Sequence, residues 1–185
     1  MSLFSRKPQP PNPIDTIVVP GYVGAIGLVA CPGVRVMQPD PGAPKFLEPD
    51  LQELADWGAN GVVSLIEEKE FRLNNCVELP RRIAEAGMWW LHLPIVDMDI
   101  PDQNFEDVWA YDGARIRHAL RIGERVILHC YAGLGRTGMI AARILVEMGM
   151  DPEMAIKTVR QANSRRIQTK RQSAFVRTCI PLADG

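Results

Sequence analysis

The sequence predicts an α/β fold, a central and mostly parallel sheet flanked by helices on both faces. Two short apolar runs, "GVVSLI" (61–66) and "RVILHC" (125–130), are bounded by turn residues and read as buried strands. Segments of helical spacing alternate with such runs along the chain, the pattern of a parallel sheet covered by its crossover helices. The 185 residues, 46% hydrophobic and 23% charged, suffice for one ordinary globular core, and no internal repeat is visible.

Each element has its own signal. "RKPQPPNP" (6–13) holds neither helix nor central strand, so residues 1–13 are expected to form a flexible Pro-rich leader and 14–185 a single domain. Residues 16–30 alternate β-formers with glycines and read as a strand, a turn and a second strand. Residues 31–49, with five prolines and two glycines, read as loop. A helix is expected from an Asp50 N-cap, with Leu51 and Leu54 on one face and Gly58 as its stop. After the 61–66 strand come a helix over 78–86 closed by Gly87, a strand over 88–95 and an acidic loop, "VDMDIPDQN" (96–104). A helix over 105–121 leads to the 125–130 strand, which ends in a glycine-rich turn. Helices are then expected over 136–148, over 152–163 behind an Asp151 cap and Pro152, and from Thr169 to Cys179.

The net charge of −1 points neither to nucleic acid nor to an anionic membrane surface. Residues 151–185 carry seven Lys/Arg against three Asp/Glu, a bias that a solvated helix face explains as well as attraction of an anionic substrate. Four widely spaced cysteines without a CxxC pair suit a reducing cytosol and give neither a disulfide framework nor a zinc site. The stretch 17–30 before Cys31 has the outline of a lipoprotein signal, but Pro20, Gly21, Gly24 and Gly27 break it as a helical apolar segment.

The turn itself, "LHCYAGLGRTGMIAA" (128–142), carries two overlapping patterns. Gly133, Gly135 and Gly138 spell the G-x-G-x-x-G of dinucleotide loops. That fold requires an acidic residue ending a further strand about 20 positions on. The residue at that distance is Glu153, in the first turn of a Pro-initiated helix, and no Lys-Ser/Thr pair supports a P-loop either. Cys130 and Arg136 spell C-x5-R, which accounts for the whole stretch. Backbone N–H groups of Tyr131, Ala132, Gly133, Leu134, Gly135 and Arg136, curled at a helix N-terminus, can converge on phosphoryl oxygens, and the glycines permit the turn. Arg136 adds a planar fork for two oxygens. A thiol in such a field falls from about 8.5 to roughly 3.5–7.5, so Cys130 is expected to be an ionised nucleophile at neutral pH.

"HCYAGLGRTG" resembles the H-C-x5-R-S/T signature of the cysteine-dependent protein tyrosine and dual-specificity phosphatases. It is most similar to the cyclin-dependent-kinase-associated phosphatase group, with Cdc14-like enzymes as near relatives. "CPG" (31–33), "WGANGVVSLIEEKEF" (57–71), "LPIVDMDIPD" (93–102) and "RIQTKRQSAF" (166–175) follow in the family's order, so the resemblance spans about residues 28–178.

The resemblance implies a covalent phosphocysteine on Cys130, phosphate held by Arg136, and neither metal nor cofactor. It implies that His129 tunes the thiolate, although a strand-end histidine reads equally as core. Thr137 matches the hydroxyl that helps the sulfur leave. "PIVDM" matches the family's P-I-A-D-G at Asp97, making it the expected general acid. Met98 and Asp99 stand where the family has glycine and a small residue, so Asp99 is kept as a second candidate. Gln172 matches a water-positioning glutamine, while Thr169-x-x-Gln172 is equally a capping box. The neutral Tyr131 and Leu134 replace lysines of phosphoinositide-specific relatives and fit a phosphoprotein substrate. A cytoplasmic monomer without nucleic-acid or membrane partners is expected. A phosphate-binding adaptor without turnover, or a phosphatase of RNA ends or lipids, are the alternatives.

Overall fold

The computed structural model describes residues 12–35 and 46–182. Five strands form one sheet in the order β1-β2-β5-β3-β4: β1 (Asp15–Val18), β2 (Ala25–Val29), β3 (Gly61–Ser64), β4 (Trp89–His92) and β5 (Arg125–His129). Only the edge strand β1 runs antiparallel; its partner β2 follows it through a short turn. β2, β5, β3 and β4 are mutually parallel, with Leu28 opposite Leu128 and Val63 opposite the same residue on the other side. The central β5 is buried from Val126 to His129, as a strand covered on both faces must be.

Seven helices flank the sheet among the described residues: α1 (Leu47–Trp57), α2 (Glu68–Leu73), α3 (Leu79–Glu85), α4 (Gln103–Arg121), α5 (Gly135–Glu147), α6 (Pro152–Ala162) and α7 (Lys170–Thr178). Every residue of α5 is buried, because the helix lies on β2 and β5 and is covered in turn by α6 and α7. The parallel strands all end at one edge, where β5 separates β2 from β3. That edge is where an open α/β sheet binds its ligands, and Cys130 is the first residue beyond β5.

Three sequence expectations need correction. Asp50 does not cap α1, which starts three residues earlier and takes Pro49 into its first turn. The Asp50 carboxylate is instead buried and accepts from the Gly33 N–H at 2.8 Å, from Arg35 at 2.7 and 2.8 Å and from Asn12. Asn12, expected in the flexible leader, also donates its side-chain N–H to the carbonyls of Cys31 and Val34; residues 1–11 lie outside the described residues. The third correction is α2, a helix within a stretch for which no helix is expected. Its signal was the Glu67-x-x-Glu70 pair, which forms a reciprocal capping box.

Candidate active site

The loop from Cys130 to Arg136 presents donors on one side and buries its acceptors on the other. The Cys130 carbonyl accepts from His129 Nδ1 at 3.2 Å and the Tyr131 carbonyl from the Cys31 N–H at 3.0 Å. The Gly133 carbonyl is taken by an Arg166 guanidinium nitrogen, and that of Leu134 by the N–H groups of Gly138 (3.0 Å) and Ile167 (3.3 Å). By contrast, the N–H groups of Tyr131, Ala132, Gly133 and Leu134 donate to no other described residue. Successive uncommitted amides at a helix start form a concave site for an anion. Gly133 makes the turn possible: its φ is +70°, and a Cβ there would stand 2.5 Å from the Val29 carbonyl group.

Arg136, only 1% exposed, reaches back from the first turn of α5. Its Nη1 and Nη2 donate to the two Glu70 oxygens at 2.6 and 2.9 Å, and Nη1 also donates to the Ile95 carbonyl at 3.0 Å. Nη2 lies 3.0 Å from Asp97 Oδ1, and Nε has no partner among the described residues. One guanidinium therefore joins α2, the start of the acidic loop and the Cys130–Arg136 loop while keeping a buried cationic donor uncommitted. Burial would lower its pKa, but Glu70, the charge of Cys130 and Asp97 outweigh that and raise it. Burial would likewise raise the Glu70 carboxyl, yet the Arg136 fork and the Glu67 N–H hold it below its ordinary value.

His129 is fully buried, and its hydrogen bonds determine its tautomer. Trp90 Nε1, which can only donate, gives its hydrogen to Ser64 Oγ at 2.9 Å. Ser64 then donates to His129 Nε2 at 2.6 Å, so Nδ1 carries the proton that bonds the Cys130 carbonyl. Burial depresses the imidazole to about 4, consistent with a neutral ring accepting at Nε2. Trp90 and Ser64 escaped the sequence analysis because nothing in "VVSLI" or "MWWLHL" reveals that β3 and β4 bring them together.

The three aspartates of the acidic loop separate cleanly. Asp97 is 66% exposed and faces Arg136. Asp99 pairs with Arg171 at 2.5 Å and accepts from the Ile100 N–H at 2.7 Å. Asp102 caps α4, accepting from the Phe105 N–H at 2.9 Å. Thr137 Oγ1 is buried with no partner among the described residues. Gln172 forms the capping box of α7: its Oε1 accepts from Gln168 and Thr169 N–H groups, and its Nε2 donates to the Asp99 carbonyl at 3.3 Å. Gln168, not singled out from the sequence, is exposed and brings its Oε1 to 2.7 Å from where a Gly135 Cβ would stand. Tyr131 and Leu134 are half-buried at the rim. Among the described residues no His/Cys/Asp/Glu cluster is arranged to hold a metal ion, and no helix is long and apolar enough to cross a membrane.

Comparison with known proteins agrees with this geometry. Rat "Cyclin-dependent kinase inhibitor 3" is 28% identical over 157 residues, across 82% of this chain and 69% of that protein. Drosophila melanogaster "PRL-1 phosphatase" is 28% identical over 101 residues, 55% of this chain and 56% of that protein. The fold matches a crystal structure of kinase associated phosphatase carrying a serine in place of its catalytic-site cysteine. That match has a TM-score of 0.79 and 24% identity, and covers 91% of this chain and 93% of that one. A family model described as "Polymorphic toxin system, DSP-PTPase phosphatase" matches residues 37–150, a stretch that includes the acidic loop and the whole Cys130–Arg136 loop. The chain belongs to this DSP-PTPase phosphatase family.

Proposed function

We propose that this protein is a phosphoprotein phosphatase, acting on phosphotyrosine and within reach of phosphoserine and phosphothreonine, through a phosphocysteine on Cys130. The observation that carries the reading is the loop in which four carbonyls are tied back, four N–H groups are uncommitted and the buried Arg136 Nε is unpartnered. Cys130 Sγ attacks phosphorus, the bond from phosphorus to the leaving oxygen breaks, and protonated Asp97 gives its proton to that oxygen. The N–H groups of residues 131–136 and Arg136 stabilise the charge on the three equatorial oxygens. Asp97, now a carboxylate, takes a proton from water as the water oxygen attacks phosphorus and the S–P bond breaks. Thr137 Oγ1 donates to the departing sulfur, and neutral His129 braces the Cys130 carbonyl. Water is aligned by Gln172 or by Gln168; the Gln172 oxygen is engaged in the α7 cap, which favours Gln168.

Asp97 stands 3.0 Å from Arg136, the proposed phosphate-holding residue, whereas Asp99 is turned to Arg171 of α7, and this supports Asp97 as the acid. Val96 and Met98, 53% and 49% exposed on either side of Asp97, offer apolar contact to an aryl leaving group. The relatives' names, a kinase inhibitor and a kinase associated phosphatase, agree with a protein substrate. The test is hydrolysis of an aryl phosphate and a phosphotyrosine peptide without added metal. Wild type turns both over, Cys130→Ser does not, and Asp97→Ala loses far more activity than Asp99→Ala. Activity in Cys130→Ser would overturn the mechanism. Tight phosphopeptide binding by wild type without turnover would identify a phosphate-binding adaptor instead.

A further inference from the structure

Arg166 is a buried cation behind the Cys130–Arg136 loop that the mechanism above does not use. It is 3% exposed, and its guanidinium faces inward. Nη1 donates to the Gly133 carbonyl, while Nη2 meets Asp15 Oδ2 at 2.5 Å and the Leu28 carbonyl at 3.3 Å. A single side chain thus ties the tip of the loop to the edge strand β1 and to β2.

The corner that presents Arg166 is held from several sides. Arg160 donates to the Arg166 carbonyl at 3.2 Å, to the Ile167 carbonyl at 3.0 Å and to Ser173 Oγ at 3.2 Å. Ile167, next in sequence, has φ +57°, a conformation that costs a β-branched residue about 1–3 kcal/mol and persists only where its surroundings impose it. Its N–H donates to the Leu134 carbonyl, so the same corner holds two consecutive loop carbonyls. Gly138 leaves room for this approach, since a Cβ there would lie 2.8 Å from that of Arg166.

We infer that Arg166, anchored by Asp15, is a positioning residue of the phosphate loop: by holding the Gly133 carbonyl outward it directs the Leu134 N–H into the cradle. The reason is the planar trans peptide, in which the Gly133 C=O and the Leu134 N–H point in opposite directions. Released from Arg166, this peptide is free to turn and bring a partial negative charge toward the bound anion. The charge balance fits: burial pulls the Arg166 guanidinium below its ordinary value, and Asp15 and the charge of Cys130 oppose that. The inference rests on the phosphatase reading but predicts a property that can be measured without turnover.

The probe is tungstate, titrated by calorimetry and by the amide spectrum of the full chain at a temperature where each variant is folded. Arg166→Met is expected to weaken tungstate binding roughly 10–100-fold, the scale at which small misplacements of a binding group act. The Leu134 amide should lose its response to tungstate while those of Tyr131 and Ala132 keep theirs. Arg166→Lys retains a cationic donor and should recover part of the affinity, and Asp15→Asn should shift it in the same direction by less. Wild-type affinity and an unchanged Leu134 response in Arg166→Met would overturn the inference and leave the phosphatase reading standing. Failure of wild type both to bind tungstate and to hydrolyse an aryl phosphate would overturn both.

Discussion

Glu70 and His129 show how much a single side chain here depends on its burial. Glu70 supplies the principal counter-charge of Arg136, in a pair whose two side chains are largely buried. Glu70→Gln keeps the shape but leaves the guanidinium with a neutral partner. It is expected to cost about 1–3 kcal/mol of stability by urea unfolding and, through a loosened Arg136, at least tenfold in kcat/KM. His129 makes a pH prediction. In the unfolded chain its imidazole takes a proton near 6.5, in the folded protein only near 4, so the unfolded state binds more protons between these values. The contribution of His129 to stability is therefore complete above pH 6.5 and is lost as pH falls toward 4. At about 1.4 kcal/mol per pH unit the loss totals about 3 kcal/mol. Unfolding free energies measured from pH 7 to pH 4 should fall less steeply in His129→Gln; equal slopes would show that the ring is protonated in the fold.

At the scale of elements, the acidic loop carries one of the departures from ordinary backbone geometry. Met98 has φ +61°, the left-handed region that favours glycine, directly after the proposed acid. Its side chain is about half exposed, so little packing is lost on removing it. Met98→Gly should relieve strain and change stability by about +0.5 to +1 kcal/mol in thermal or chemical unfolding, against the entropy a glycine adds to the unfolded chain. The same variant should also lower turnover of aryl substrates if the exposed thioether contacts the leaving group. Among the regular elements, most were legible. The two central strands were plain from uninterrupted apolar runs, and α6 and α7 from Asp151-Pro152 and the Thr169 cap. α2 was not, because six residues rich in charge show no apolar face, and it is held by its capping box, by Phe71 and by the distant Arg136 that grips Glu70. Asp50 misled for a related reason: a carboxylate next to a proline satisfies the local rule for a cap, while its actual partners lie 15 to 38 positions away.

The whole molecule is held together around the Cys130–Arg136 loop by buried and partly buried ion pairs between distant segments. Asp50 joins α1 to residues 12, 33 and 35, and Arg166 joins the α6–α7 corner to β1. On a third side, Glu147 joins α5 to Arg117 and Trp109 of α4. Asp50→Ala is expected to cost roughly 3 kcal/mol or more, because it strips a buried carboxylate from a guanidinium and an amide that turned toward it. Urea unfolding of wild type and variant measures this. The proposed chemistry is local in sequence: Cys130, Arg136, Thr137 and the loop glycines lie within nine residues, because an anion cradle is one strand end, one turn and one helix start. The acidic loop was legible as a loop, and the family pattern pointed to Asp97 with Asp99 as second candidate, but the partners that separate the three aspartates, Arg136 for Asp97, Arg171 for Asp99 and the Phe105 N–H for Asp102, were not. Assignment of Asp97 to Arg136 and Asp99 to Arg171, the tautomer of His129, and the grips of Glu70 and Arg166 were decided by tertiary structure alone. Each depends on a partner between 39 and 151 positions away. Hydrogen bonds and ion pairs act over about 3 Å, and only the stacking of strands and helices brings such residues within that range.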